Sequence, residues 1–194
     1  MRTCKTIQLG PKDNRAEHDF YTTDPVAVYA LIKKLMELNI RLPLHIIEPS
    51  VGAGHIAKIF EILQWTVHSY DIVDRGWHDT IVADWMTVRR PTEEPVAIVM
   101  NPPYSDALEH IDHALGMLKE GEYCCALLRL QFLEGKQRKV FFSSNPMRYV
   151  LVFSARIKCC KNGDVNAQTT HSAVAFAWFI WQKGFKGNPE LLWI

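Results

Sequence analysis

The chain is 194 residues long, 48% apolar and 22% charged, a size and balance that suit one globular domain with a three-layer core. No apolar run approaches the roughly 18 residues that a membrane span needs, and the N-terminus lacks the charged-then-apolar pattern of a secretory signal. Five cysteines with neither metal spacing nor a disulfide framework point to a reducing, cytoplasmic setting, and a formal net charge of +1 leaves any affinity for polyanions to the way the charges are distributed.

Residues 1–18, polar and punctuated by Gly10 and Pro11, are expected to form a mobile arm ahead of the single domain. His45 to Ala57 reads as an apolar strand, a small-residue turn and the start of a helix that continues through Phe60 and Leu63. In the turn, Gly52 and Gly54 allow positive φ and close approach by a ligand. The helix N-terminus beyond them offers amide protons to a carboxylate as readily as to a phosphate. The segment has neither the Lys-Ser/Thr ending of a phosphate-binding P-loop nor the Gly-x-Gly-x-x-Gly spacing of a dinucleotide loop.

A second strand, Thr66 to Ile72, carries Asp71 about 20 residues beyond the turn, where an α/β nucleotide fold places a ribose-binding carboxylate. The short stretch Thr80 to Trp85 then sets Asp84 beside an aromatic. Asp84 is a candidate acceptor for an adenine amine, with Trp85 or Ile72 covering the ring. Each of these acids could equally be an ordinary strand-end residue; their order along the chain carries the weight.

Val96 to Met100 reads as a buried strand and runs directly into Asn101-Pro102-Pro103-Tyr104. The Asn101 side-chain carbonyl and the Pro102 backbone carbonyl are two acceptors, enough to hold both protons of an exocyclic amine. The prolines restrain the backbone, and Tyr104 offers a flat ring for stacking. Asn-Pro dipeptides also form purely structural turns, so the tetrapeptide alone leaves both readings open. Downstream, Ala107, Leu108, Ile111, Leu115 and Leu118 form a helical stripe ended near Gly121, followed by a strand from Tyr123 to Leu128. A helix around Gln137 to Phe142 and strands at Tyr149 to Phe153 and Ala173 to Trp181 complete the pattern. His110 and His113 share a helical face but lack a third ligand nearby, so no metal is expected. Cys124 and Cys125 fall on opposite faces of their strand and read as structural, as do Trp178 and Trp181.

From Arg129 to Lys161 there are eight basic residues and one acid, Glu134, whereas residues 1–128 carry 12 basic and 18 acidic ones. A basic segment beside an acidic half suits a phosphate-binding face next to a cofactor site. Its loops are expected on the same sheet edge as Asn101. Lys136, Arg138, Lys139, Arg156, Lys158 and Lys161 are the candidates for nucleic-acid contact.

In these features the chain resembles the S-adenosylmethionine-dependent amino-methyltransferases, particularly the DNA adenine-N6 type in its short phage-like form. Glu48-Pro49-Ser50-Val51-Gly52-Ala53-Gly54 is similar to their cofactor loop, and Asn101 to Tyr104 to their catalytic motif. The resemblance extends to Asp71 and Asp84 as ribose and adenine ligands. It also covers Tyr21, Thr22 and Thr23, in a segment that closes over the methionine end of the cofactor; Asp24 stands where a proline is frequent. The run Arg129 to Gly135 is a weaker likeness. The resemblance implies a Rossmann-like methyltransferase fold: an α/β domain with a mostly parallel seven-stranded sheet, an antiparallel last strand, and helices on both faces. The last two strands, joined by the polar loop Lys158 to His171, would be the antiparallel hairpin closing that sheet. It further implies S-adenosylmethionine as cofactor, DNA as partner, and methyl transfer to the N6 amine of adenine, with Asn101, Pro102, Pro103 and Tyr104 catalytic. No separate target-recognition domain is expected, so specificity is loose, confined to a short site, or supplied by a partner. RNA-base or protein-glutamine methylation and a silent cofactor-binding subunit stay open as alternatives.

Overall fold

The computed structural model describes residues 21–157 and 174–194. The expected N-terminal arm, Lys158, Lys161 and the loop to His171 lie outside these residues.

Strands β1 (His45–Glu48), β2 (Thr66–Asp71), β3 (Ile81–Val82), β4 (Val96–Met100), β5 (Tyr123–Arg129), β6 (Tyr149–Val152), β7 (Phe176–Gln182) and β8 (Glu190–Trp193) form one sheet in the order β3-β2-β1-β4-β5-β7-β6-β8. Only β7 runs antiparallel to its neighbours, β5 and β6. The sheet is therefore mostly parallel, as expected, with two differences. It has eight strands, and the antiparallel strand is not the last, because β8 pairs in parallel with β6 at the edge. β8 was illegible because it is four residues long and mostly exposed, with no run of buried positions to announce it.

Helices cover both faces. α1 (Pro25–Glu37) and α2 (Ala57–Ile62) pack with Ile46, Ala97, Val99, Cys125, Leu127 and Trp178; α3 (Ala107–Met117) packs with Ile47, Ile98, Met100, Cys124 and Phe179 on the other side. The alternation of Cys124 and Cys125 between these two cores follows from the period of two in a strand. β4 is buried at every position, which explains its unbroken apolar run. α4 (Lys136–Ser144) lies outside, partly packed through Phe141 and Phe142.

Asp24, the residue that departs from the family pattern, has a local job. Its side chain caps α1 by accepting the Val26 N–H at 3.0 Å, with Pro25 in the first turn. α1 is then tied to the sheet by Trp178, whose indole N–H donates to the Ala27 carbonyl at 2.8 Å. Trp178 and Trp181 are both buried core residues, as read from the sequence.

At the amino-terminal edge of the sheet, Arg90 and Glu122 form a bidentate pair at 2.8 and 2.7 Å. Glu122 also accepts the backbone N–H groups of Val96 and Lys119. Burial alone would raise the Glu122 pKa, but these donors outweigh it and hold the carboxyl below the ordinary glutamate range. A depressed carboxylate contributes stability that is present above the ordinary glutamate range and is lost as pH falls through the depressed value. Glu122→Gln should therefore cost about 3 kcal/mol at neutral pH, as expected for breaking a largely buried pair, and flatten the acid side of the stability profile. Urea denaturation as a function of pH measures both effects.

Candidate active site

The sheet order reverses at β1, with β2 on one flank and β4 on the other, which opens a crevice at the carboxyl ends of these strands. Such switch points are where open α/β sheets bind ligands. Glu48, Asp71, Asn101 and Arg129 each stand at the carboxyl end of a parallel strand, or one residue beyond it, and so share this edge.

The loop after β1 is shaped by two left-handed glycines, Gly52 at φ 55 and Gly54 at φ 77. Asp71 holds it: Oδ2 accepts the Gly52 N–H at 2.8 Å and Oδ1 accepts the Val73 N–H at 3.1 Å. Asp71 is buried, and its oxygens keep further lone pairs beyond these two bonds. Ser50 is half-buried and Pro49 buried in the same turn.

Glu48 is 1% exposed, and its Oε2 has no hydrogen-bond partner. Burial pushes its pKa well above the usual carboxylate range, opposed by a hydrogen bond from the Ala57 N–H and reinforced by the charge of Asp71. The Ala57 amide at the start of α2, which the sequence reading left open to an anionic ligand, is thus engaged by Glu48 itself. What the loop offers instead is an unpartnered buried carboxyl oxygen, suited to a cation.

At the end of β4, Asn101 Nδ2 donates to the Tyr21 carbonyl and to Thr23 Oγ1, each at 3.2 Å. A carbonyl can only accept, so the amide orientation is fixed by Tyr21. Asn101 Oδ1 is left buried with no partner. The Pro103 carbonyl accepts the Asp106 N–H at 3.2 Å and closes the turn toward α3. Thr22 and Thr23 are buried, so the segment before α1 is part of the site floor. The Tyr104 ring stacks with Tyr21 at 5.5 Å, and the Arg129 guanidinium lies over it at 4.6 Å.

Trp85 departs from its expected place, whereas Asp84 stays just beyond the end of β3 with one carboxylate oxygen engaged. Asp84 is exposed and caps the 3-10 turn Trp85–Thr87, accepting the Met86 N–H at 3.0 Å. Trp85 is 3% exposed in the core on the α3 face, and its indole N–H donates to the His110 carbonyl. Its ring is committed to packing, so of the two suggested covers Ile72, 57% exposed at the end of β2, is the one at the crevice. His113 is set edge-on against that same indole and bonds the Val88 carbonyl, while His110 bonds the Asp106 carbonyl. Among the described residues no cluster of metal-ligating side chains occurs, and no helix is long and apolar enough to cross a membrane.

The basic segment is divided. Arg129, at the end of β5, and Arg156, beyond β6, are on the Asn101 edge. Arg148 precedes β6, which runs parallel to β5, so it lies at the opposite edge, bonded to Tyr149 and Gln182. The expectation that the whole segment shares one edge is corrected on this residue. Lys136, Arg138 and Lys139 lie on α4, where Arg138 bonds the Gln131 carbonyl and covers Phe132, and the two lysines are exposed.

No family model matches the sequence, and no curated protein matches it. Solved structures do. A methyltransferase subunit of a type I restriction-modification system from Streptococcus thermophilus aligns with TM-score 0.62 and 16% identity over 93% of this chain and 48% of that one. A candidate class I S-adenosylmethionine-dependent methyltransferase from Listeria monocytogenes aligns at 0.56 and 13% over 87% and 62%, and a candidate RNA methyltransferase from Pyrococcus horikoshii at 0.58 and 13% over 84% and 86%. The chain has the Rossmann-like methyltransferase fold. It spans less than two thirds of the Listeria protein and about half of the Streptococcus subunit.

Within this methyltransferase fold, two residues that sequence reasoning did not assign to the site lie in it. One is Arg129, which the sequence marked only as the start of the basic segment and of the Arg129 to Gly135 run. The other is Trp77: a Cβ added at Gly54 would overlap its indole. Nothing in the sequence tied Trp77 to the glycine turn. Gly54→Ala adds this overlap to a φ that disfavours any side chain, so it should destabilise the protein by about 1–3 kcal/mol and shift the tryptophan emission. Thermal unfolding followed by fluorescence reads both.

Proposed function

We propose that this chain methylates the exocyclic N6 amine of adenine in DNA, with S-adenosylmethionine as methyl donor. The observation that carries this reading is the Asn101 amide. Its nitrogen is held by Tyr21 and Thr23, and its buried oxygen is unpartnered and available to an amine.

The cofactor fits the residues present. Glu48 offers an unpartnered buried carboxyl oxygen to its ammonium, Asp71 retains lone pairs for ribose hydroxyls, and Asp84 and Ile72 stand at the ends of the neighbouring strands for the adenine. Tyr21, Thr22 and Thr23 border the Asn101 end of the crevice. When bound, S-adenosylmethionine supplies a sulfonium methyl group open to direct attack by an amine.

Asn101 Oδ1 and the Pro102 carbonyl accept the two amine protons. They aim the lone pair and disperse the positive charge that develops on nitrogen, so no base is needed before attack. The target base must leave the helix stack to reach this depth, and it stacks on Tyr104 by displacing Tyr21, which lies against that ring. Pro103 keeps the turn stiff. DNA as substrate is supported by the restriction-modification subunit among the structural neighbours. The candidate RNA methyltransferase among them keeps RNA as the second reading, whereas the exposed lysines on α4 favour nucleic acid over a protein glutamine.

Asn101→Ala should retain cofactor binding by calorimetry and lose methyl transfer by at least about a thousandfold, the scale of one preorganised contact to developing charge. Retained turnover would sink the mechanism. Asp71→Ala should do the reverse, weakening cofactor affinity tenfold or more; unchanged calorimetric binding would refute the ribose assignment.

Glu48 gives a pH test. Burial raises its pKa, and an ammonium partner would lower it. Cofactor binding should therefore release a proton and tighten as pH rises toward the Glu48 pKa. Calorimetry in buffers of different ionisation enthalpy measures the release, which Glu48→Gln should abolish.

A further inference from the structure

Five arginines among the described residues are partly buried: Arg75, Arg90, Arg129, Arg138 and Arg148. Four of them meet an oxygen: Arg75 the Asp71 carboxylate, Arg90 the Glu122 carboxylate, Arg138 the Gln131 carbonyl and Arg148 the Gln182 side chain. Arg129 meets none. Its Nε is shielded from solvent without an acceptor, no carboxylate lies within ion-pair distance of it among the described residues, and its contact is the Tyr104 ring at 4.6 Å. A guanidinium left with unfilled donors beside a reactive motif is in want of an anionic acceptor.

The sheet order says which anion. Asn101 follows β4, with β1 and β2 on one flank and β5 on the other. Neighbouring strands are about 4.8 Å apart, so Arg129 at the end of β5 stands roughly 10 Å from the end of β1. Glu48, Asp71 and Asp84, the acidic residues suited to the cofactor, are all on the far flank. On the near flank Arg129 is joined by Arg156, beyond β6, and by the exposed Lys136 at the start of α4, the helix that follows β5, whereas Lys139 faces Gln182 and Lys183 toward the opposite edge. A base stacked on Tyr104 would bring its own backbone to this near flank.

We propose that Arg129 is a phosphodiester-binding residue, whose guanidinium, steadied on the Tyr104 ring, takes a backbone phosphate of the strand whose base enters the Asn101 clamp. This rests on the reading of that site as a clamp for a nucleobase amine. The cation–π contact aligns the planar guanidinium, and it couples seating of the phosphate to the surface on which the base stacks.

The test is binding of short fluorescein-labelled duplex DNA, single-stranded DNA and RNA as a function of salt, using full-length wild type, Arg129→Gln and Arg129→Lys. Arg129→Gln should weaken binding about tenfold and lower the salt slope by about 1, with cofactor affinity unchanged; Arg129→Lys, which keeps the charge, should keep the slope. Nucleic acid bound with an Arg129-dependent slope but never methylated would support the contact and reject the activity. Wild-type affinity and slope in Arg129→Gln, in an enzyme that still methylates, would overturn the contact and leave the activity standing. A loss of affinity at constant slope would also overturn it, because that is what a purely structural packing role on Tyr104 produces. A loss confined to cofactor binding would overturn it as well, assigning the guanidinium to the cofactor's carboxylate.

Discussion

The site depends on one side-chain amide being held the right way round. Because the Tyr21 carbonyl can only accept, it takes the Asn101 nitrogen and leaves the buried oxygen without a partner. That bond is itself anchored in the core. Trp178 of β7 holds the Ala27 carbonyl of α1, Asp24 caps the same helix, and Thr23, next to that cap, supplies the second acceptor to Asn101. The position of a single oxygen atom at the end of β4 is thereby set by packing two strands away. An amide free to flip would present a donor and an acceptor by turns and would hold an amine half as well.

The second constraint is electrostatic. On the β1–β2 flank the glycine loop is held by Asp71 and lined by a buried carboxyl, Glu48, whose pKa burial raises. On the β5 flank the partly buried charge is Arg129, with the exposed Lys136 of α4 beyond it. Acidic and basic side chains thus lie on opposite sides of the same amide. This arrangement makes sense of a chain whose net charge is near zero: the total conceals a division across the crevice.

The elements that position the site were legible because they are built from strong local signals. Unbroken apolar runs announced β4 and β5, a small-residue turn announced the loop, and the tetrapeptide announced the end of β4. The departures have equally local causes. Asp84 followed by Trp85 resembles a ring-binding pair in sequence, yet the indole goes to the core because a buried acceptor, the His110 carbonyl, waits for its N–H. Arg148 was grouped with the other cations by proximity in the chain, but residues before and after a parallel strand end up on opposite edges. β8 has only Leu192 partly buried against the core and is held mainly by its ladder to β6. Trp77 and Arg129 enter the site through contacts with Gly54 and Tyr104, each more than twenty residues away, and no period or spacing encodes such a meeting.

The central claim is that the Asn101 clamp takes the amine of an adenine. Incubation with S-adenosylmethionine labelled in its methyl group, offered DNA, RNA and protein in parallel and followed by hydrolysis and chromatography of the products, tests it most directly. The account predicts label in DNA, in N6-methyladenine, and none in that product when Asn101 is replaced by alanine. Label in a protein glutamine or in another nucleoside, with DNA adenine left unmodified, would contradict it.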